Sequence, residues 1–324
     1  MVKRISLIPA SILCGALSLC SLAAPQGVQA VEPDAANTKT TTDLTADKSD
    51  PLSLYLRTSV YSAYVFRGLD LYDDMSIQPS AGVAYELEDY GRFGASIWMQ
   101  IPAGTNSQDT IDLTGVAFDT SDLFAPTTKF VELDPTISYD ITFDVVKDIS
   151  ATFSAGNTWY TDPDEGTVDV ILPVIDDQGF LVDTETVSLR ASRGDTSEYY
   201  FGMALDTILN PEFTFVNDYR LYDYQYYTLT LSQTFPISAD GNFEVKPYVT
   251  FGWSTGNSSD FEAGETPAGI YSKNGLEHVN LGVTGAVYVE GFAIKPSINY
   301  VFVNDDALGE DDIVWGGFDI DFDI

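Results

Sequence analysis

The chain has 324 residues, with 15 Lys and Arg against 49 Asp and Glu and a formal net charge of −34. That balance excludes a nucleic-acid binder, which needs a basic face for backbone phosphates. Hydrophobic residues at 44% and aromatic residues at 13% exclude disorder for most of the chain, and 19 Tyr with 19 Phe favour strands, where rings pack on a pleated surface.

Residues 1–30 read as a signal peptide. Lys3 and Arg4 form the charged start, Ile5 to Ala24 the apolar core, and Val28-Gln29-Ala30 a small-residue cleavage site. Small and turn-forming residues follow the core closely, which fits cleavage better than a membrane anchor. Leu precedes both Cys14 and Cys20, where a lipoprotein signal usually has a small residue. Both cysteines lie within this segment, so disulfides play no part in the exported chain. No other stretch approaches the ~20 apolar residues of a spanning helix. If the exported chain is integral to a membrane it must be a closed barrel, because only helices and closed barrels satisfy every backbone group in lipid.

Residues 31–52 are polar, without aromatics or periodicity, and read as a flexible periplasmic leader. From Ser53 the texture changes to alternation with period two, in segments of about ten residues, the length of a tilted strand crossing a bilayer. In 76–87, Ile77, Pro79, Ala81, Val83, Tyr85 and Leu87 alternate with Gln78, Ser80, Gly82, Ala84 and Glu86. In 92–101, Phe93, Ala95, Ile97, Met99 and Ile101 alternate with Arg92, Gly94, Ser96, Trp98 and Gln100. In 130–143, Val131, Leu133, Pro135, Ile137, Tyr139, Ile141 and Phe143 alternate with Glu132, Asp134, Thr136, Ser138, Asp140 and Thr142.

Twelve segments follow this rule: 53–67, 76–87, 92–101, 130–143, 149–160, 197–206, 211–219, 224–235, 243–253, 276–289, 292–303 and 313–324. Short connections (88–91, 144–148, 207–210, 236–242, 290–291) alternate with others that are mostly long (102–129, 161–196, 254–275). Short periplasmic turns and long outer loops are the asymmetry of outer-membrane barrels, and a soluble sandwich gives no reason for it. The expectation is an all-β, transmembrane, antiparallel up-and-down β-barrel over 53–324. Its apolar set faces lipid and its polar set lines the lumen. The apolar pieces within 167–192 are either a hairpin standing above the membrane or two further strands, which would make fourteen.

Aromatics are expected to form interfacial girdles: Tyr64, Phe66, Trp159, Trp253, Tyr300 and Phe302 near the outer rim, and Tyr85, Phe93 and Phe143 near the inner one. At the C-terminus Phe318, Ile320, Phe322 and Ile324 alternate with Asp319, Asp321 and Asp323. This final strand resembles the signal by which outer-membrane proteins engage the barrel assembly machinery. It departs from the usual final Phe or Trp by ending in Ile324.

The run Tyr61-Ser62-Ala63-Tyr64-Val65-Phe66-Arg67-Gly68 resembles the S-x-Y-x-F-R-G opening of the TorF-like outer-membrane protein family, bacterial β-barrels without a settled activity. Leu209-Asn210-Pro211, followed by Phe213, Phe215, Asp218 and the stretch Tyr227 to Phe235, resembles a further block of such barrels, an L-N-P turn leading into a hairpin that ends in S-x-x-F. The resemblance spans these two blocks and implies a barrel in the outer membrane of a Gram-negative bacterium. It implies nothing about activity.

No catalytic, cofactor or metal site stands out, and the chain is not expected to be an enzyme. The single histidine, His278, falls on the lumen face beside Asn280 and reads as a solvated or hydrogen-bonded side chain. Outer-membrane phospholipases, by contrast, carry a Ser–His–Asn set facing lipid. Acidic runs at Asp70, Asp73 and Asp74, at Asp162, Asp164 and Glu165, and at Asp305, Asp306, Glu310, Asp311 and Asp312 offer oxygen ligands to divalent cations without EF-hand order. They read foremost as a solvated surface that meets outer-membrane lipid and lipopolysaccharide. The lumen candidates are Arg57, Arg67, Glu86, Arg92, Glu132, Asp134, Asp140, Glu198, Lys246 and Lys295, with Glu212 and Glu244 beside them. Opposite charges there either pair across a narrow lumen and plug it, leaving a structural or surface-interaction barrel, or leave an acidic excess lining a cation-biased, porin-like pore for small solutes.

Overall fold

The computed structural model describes residues 51–324 except 73, 104–109, 113–130, 148, 162–165, 176–180, 192–194, 257–273, 305–311 and 324. The signal segment, nearly all of the leader and Ile324 lie outside the described residues, as do the acidic positions Asp73, Asp162, Asp164, Glu165, Asp305, Asp306, Glu310 and Asp311.

Twelve strands form the wall: β1 (Leu52–Tyr61), β2 (Ser76–Glu86), β3 (Arg92–Pro102), β4 (Glu132–Val146), β5 (Ile149–Tyr160), β6 (Thr196–Leu205), β7 (Glu212–Asp218), β8 (Gln225–Ser232, resumed at Phe235–Pro236), β9 (Phe243–Thr255), β10 (Gly275–Val289), β11 (Phe292–Val303) and β12 (Ile313–Asp323). Each pairs antiparallel with its neighbours in sequence, and β1 pairs with β12 from Tyr55↔Asp323 to Tyr61↔Gly317, closing the barrel. Closure removes the edges that would otherwise expose unpaired backbone groups.

Alternation sets the two faces. Leu52, Leu54 and Leu56 of β1, Phe93 and Ile97 of β3, Leu281, Val283 and Val287 of β10, and Phe318 and Phe322 of β12 are exposed on the outside. Their polar neighbours Ser59, Ser80, Glu132, Asp134, Glu198, Thr250 and Asn299 are buried inside. A continuous apolar belt around a polar interior is the inverse of a soluble protein and matches a lipid surround.

Three inward tyrosines lie flat against the wall over glycines directly opposite them. Tyr55 covers Gly82, Tyr200 covers Gly156 and Tyr248 covers Gly282, each pair in register across a ladder. A β-carbon at any of these glycines would fall on the ring, so the missing side chain makes room for the aromatic one. At the short-turn end, Asp240 accepts from Asn242, and the bonds from Ser238 and Asn242 hold its carboxyl below the ordinary carboxylate range.

Three features differ from the alternating pattern or resolve it. The first strand, expected over 53–67, leaves the wall at Tyr61, where Ser62 exchanges its last bonds with Gly316. Tyr64–Phe66 and Leu69–Tyr72 then form a separate two-stranded hairpin. Tyr64, Val65 and Phe66 are all buried, which a wall strand with one lipid face does not allow. Tyr64 and Phe66 therefore do not belong to the outer girdle; they lie inside. By contrast Trp159, Phe302, Tyr85, Phe93 and Phe143 are exposed on the outer surface. Finally, Gly166–Ile175 pairs with Leu181–Ala191 on one side and with Thr110–Asp112 on the other in a sheet of their own. They contribute no wall strands, so the barrel has twelve rather than fourteen.

Candidate functional site

The inner hairpin 64–72 turns on two residues, Arg67 (φ 48) and Gly68 (φ 87). Positive φ at both central positions is the requirement of the tight turn that matches strand twist. Glycine adopts it freely, whereas an arginine there stores strain. What holds Arg67 in place is its side chain: Nη1 donates to Glu198 Oε1 at 2.9 Å and Nη2 to Oε2 at 2.7 Å, a bidentate pair with both side chains almost wholly buried. Nη1 also donates to the Tyr224 hydroxyl. The guanidinium sits 4.6 Å from the ring centres of both Phe66 and Tyr226, close enough for cation–π attraction. Tyr160 donates to Glu198 Oε2 at 2.8 Å. The hairpin from β1 is thereby fastened to β5 and β6 across the lumen.

A second segment enters the lumen between β7 and β8. Asp218, at the end of β7, accepts at Oδ1 from the backbone N–H groups of Arg220, Leu221 and Tyr222 at 3.0–3.1 Å, and at Oδ2 from Thr196 Oγ1 at 2.6 Å. One carboxylate thus curls the connection so that Tyr222 and Tyr224 turn inward. They join Tyr64, Phe66, Leu69, Leu71, Tyr72, Trp98, Val216 and Tyr226 in one buried cluster. This cluster lies inside the barrel toward the strand ends that carry the long connections.

Below it the wall is polar and charged. Arg57 Nε donates to Asp321 Oδ1 at 2.6 Å, and Lys295 Nζ meets Oδ2 of the same carboxylate at 2.8 Å. Arg92 Nη2 donates to Asp140 Oδ2 at 3.2 Å at the short-turn end. Glu86, in register with Arg92, is exposed at the rim, and Lys246 is half-buried opposite Thr284. Glu132 accepts from the Tyr64 hydroxyl at 3.0 Å, and Asp134 stands two residues further along the same face, buried. Arg67 departs from expectation: it enters the lumen from the hairpin turn rather than from a wall strand. Asp70, expected in an exposed acidic loop, lies within the hairpin and accepts from the Tyr72 N–H. His278 is buried on the lumen side, with Nδ1 3.4 Å from the Tyr226 hydroxyl and its ring stacked on Tyr226.

The charge pairs join partners distant in sequence, so spacing alone could not match them. Asp321 was legible as a polar-face residue of the last strand, but its two cationic partners were not. The capping role of Asp218 left no local motif, because its acceptors point forward into an irregular connection and back to Thr196.

No protein-family model matches the chain, and no curated protein does. Among solved structures, it is similar to an outer membrane channel from Pseudomonas putida F1 at 9% identity over 84% of this chain and 94% of that one, with a TM-score of 0.44. It is similar to LpxR from Salmonella typhimurium at 10% identity over 83% and 99%, with a TM-score of 0.43, and to the toluene transporter TodX of P. putida at 9% identity over 85% and 89%, with a TM-score of 0.38. At these values each likeness concerns the barrel fold alone.

Proposed function

We propose that the protein is an outer-membrane channel for small, cation-biased solutes, held closed by the inner hairpin. The observation that carries this reading is the strained, bidentate Arg67–Glu198 clamp, set in the aromatic cluster within a barrel whose inner wall is otherwise polar. A permanent plug is served as well or better by apolar packing, since a buried ion pair recovers little more than its own desolvation. A charged latch on a two-residue turn instead gives the hairpin two definable positions. The wall behind it also suits water. Gln78, Gln100, Asp134, Asn280 and Asn299 each bury a polar atom with no protein partner, which water or a passing solute would satisfy. The acidic excess of the chain raises the local concentration of cations over anions.

One observation favours a second reading, a permanently closed barrel that acts through its outer surface. Tyr64, Phe66, Tyr72 and Tyr222 are all at most 2% exposed, as in a folded core. Planar-bilayer recording of the refolded chain under a salt gradient separates the two. The wild type is expected to open rarely, and a variant with residues 63–74 replaced by a short Gly-Ser linker to conduct steadily with a cation-selective reversal potential. A linker variant that folds, as judged by heat-modifiable gel mobility, and stays silent would leave only the closed barrel.

A further inference from the structure

We infer that the lumen carries a binding site for a hard cation of the calcium type, built on Asp134 and Gln100 with Glu132 beside them. Glu132 and Asp134 project from the same face of β4, two residues apart, and both are buried. Gln100 of β3 is directly opposite Glu132 in the ladder. It is fully buried, yet neither its amide oxygen nor its amide nitrogen has a hydrogen-bond partner. Asp134 Oδ1 is likewise buried without one. On the next strand Gln78 donates to Ser76 Oγ at 3.0 Å through its amide nitrogen, while its amide oxygen has no partner. Carboxylate and amide oxygens thus gather on adjoining strands at one side of the lumen, with the Tyr64 hydroxyl bonded to Glu132.

A native interior rarely leaves so many polar atoms of one neighbourhood unpaired. Burying them costs free energy that only a ligand or water recovers. The chemistry selects the ligand. The unpaired set is mostly oxygen and includes a carboxyl group beside that of Glu132, and the nearby Arg67 guanidinium is engaged by Glu198. Among the described residues no three His, Cys, Asp or Glu side chains converge as a metal-ligand set. That leaves two carboxylates completed by amide carbonyls and water, a coordination that suits Ca²⁺ better than zinc or copper, which prefer nitrogen and sulfur. Strand geometry agrees, since residues two apart on one face stand ~7 Å from each other, a gap one hydrated ion can bridge. The site does not rest on the channel reading, because it is defined with the hairpin in place, the Tyr64 hydroxyl included.

Terbium luminescence tests it directly. Tb³⁺ is a calcium surrogate that is excited through nearby indole rings, and Trp98 is directly opposite Asp134 in the ladder. Chelator-treated full-length protein folded in detergent is titrated with Tb³⁺ under tryptophan excitation, then with Ca²⁺ as competitor. The expected result is a saturable signal displaced by Ca²⁺, lost in Trp98→Phe, and weakened at least about tenfold in affinity in Asp134→Asn. Gln100→Leu, which removes the amide without changing charge, weakens it similarly and serves if the Asp134 variant does not fold. The same titration in wild type and both variants would assign the signal to surface carboxylates and overturn the site. No saturable signal in the wild type would overturn it too, leaving water as the occupant.

Discussion

The turn of the inner hairpin rests on the ring of His278: a β-carbon at Gly68 would lie 2.6 Å from His278 Cγ and 2.7 Å from Nδ1. Gly68 also has φ +87, so this position demands both positive φ and the absence of a side chain. The contact leaves no room for a side chain between the turn and the His278 ring. Gly68→Ala is expected to destabilise the folded barrel by about 1–3 kcal/mol, read as a lower transition temperature in heat-modifiable gel mobility. Adding His278→Ala should recover the steric part and leave the backbone strain. Full recovery would show that the turn is not strained.

The Arg67–Glu198 pair should behave as a unit. Removing either partner strands the other charge in the interior, at an expected cost of about 3–5 kcal/mol, whereas Arg67→Met with Glu198→Met should cost much less than the sum. Arg67→Lys keeps the charge but loses the planar fork and should fall between. A double-mutant cycle from denaturant unfolding in detergent measures the coupling, and additive losses would count against a direct clamp.

Asp218 should control the second inward segment. Asp218→Ala removes the acceptor shared by Arg220, Leu221 and Tyr222, at an expected cost of about 1.5–3 kcal/mol for a charged acceptor. Arg220 is exposed in that segment, so limited trypsin digestion reads the change. Cleavage after Arg220 should speed up in the alanine variant and far less in Asp218→Asn, which keeps an oxygen acceptor. Equal cleavage in wild type and Asp218→Ala would mean that other contacts shape the segment.

The tyrosine–glycine pairs make a packing prediction. Gly282→Ala places a methyl group where the Tyr248 ring lies and should break the bond from the Tyr248 hydroxyl to Asn299, costing about 1–3 kcal/mol. Tyr248→Ala in the same chain removes the ring, so the double variant should be more stable than the two single losses predict. The comparison is made by thermal transition in detergent.

The amino-acid sequence alone determined the wall. Alternation has one physical cause in a barrel, a lipid face against a lumen face, and it is written in local order. The twelve wall strands, their short turns and the lumen-facing parity of Arg57, Arg92, Glu132, Asp134, Asp140, Glu198 and Lys295 were therefore legible. Only the tertiary structure decided what fills the lumen. The stretch Tyr64 to Phe66 continues the alternation of β1 in sequence, but once the chain leaves the wall both of its faces are buried. No local pattern distinguishes an aromatic that faces lipid from one that faces another aromatic. The pairing of Arg57 with Asp321 joins the first and last strands, which become neighbours only when the barrel closes, and that of Arg67 with Glu198 spans the lumen from the inner hairpin, so neither follows from spacing.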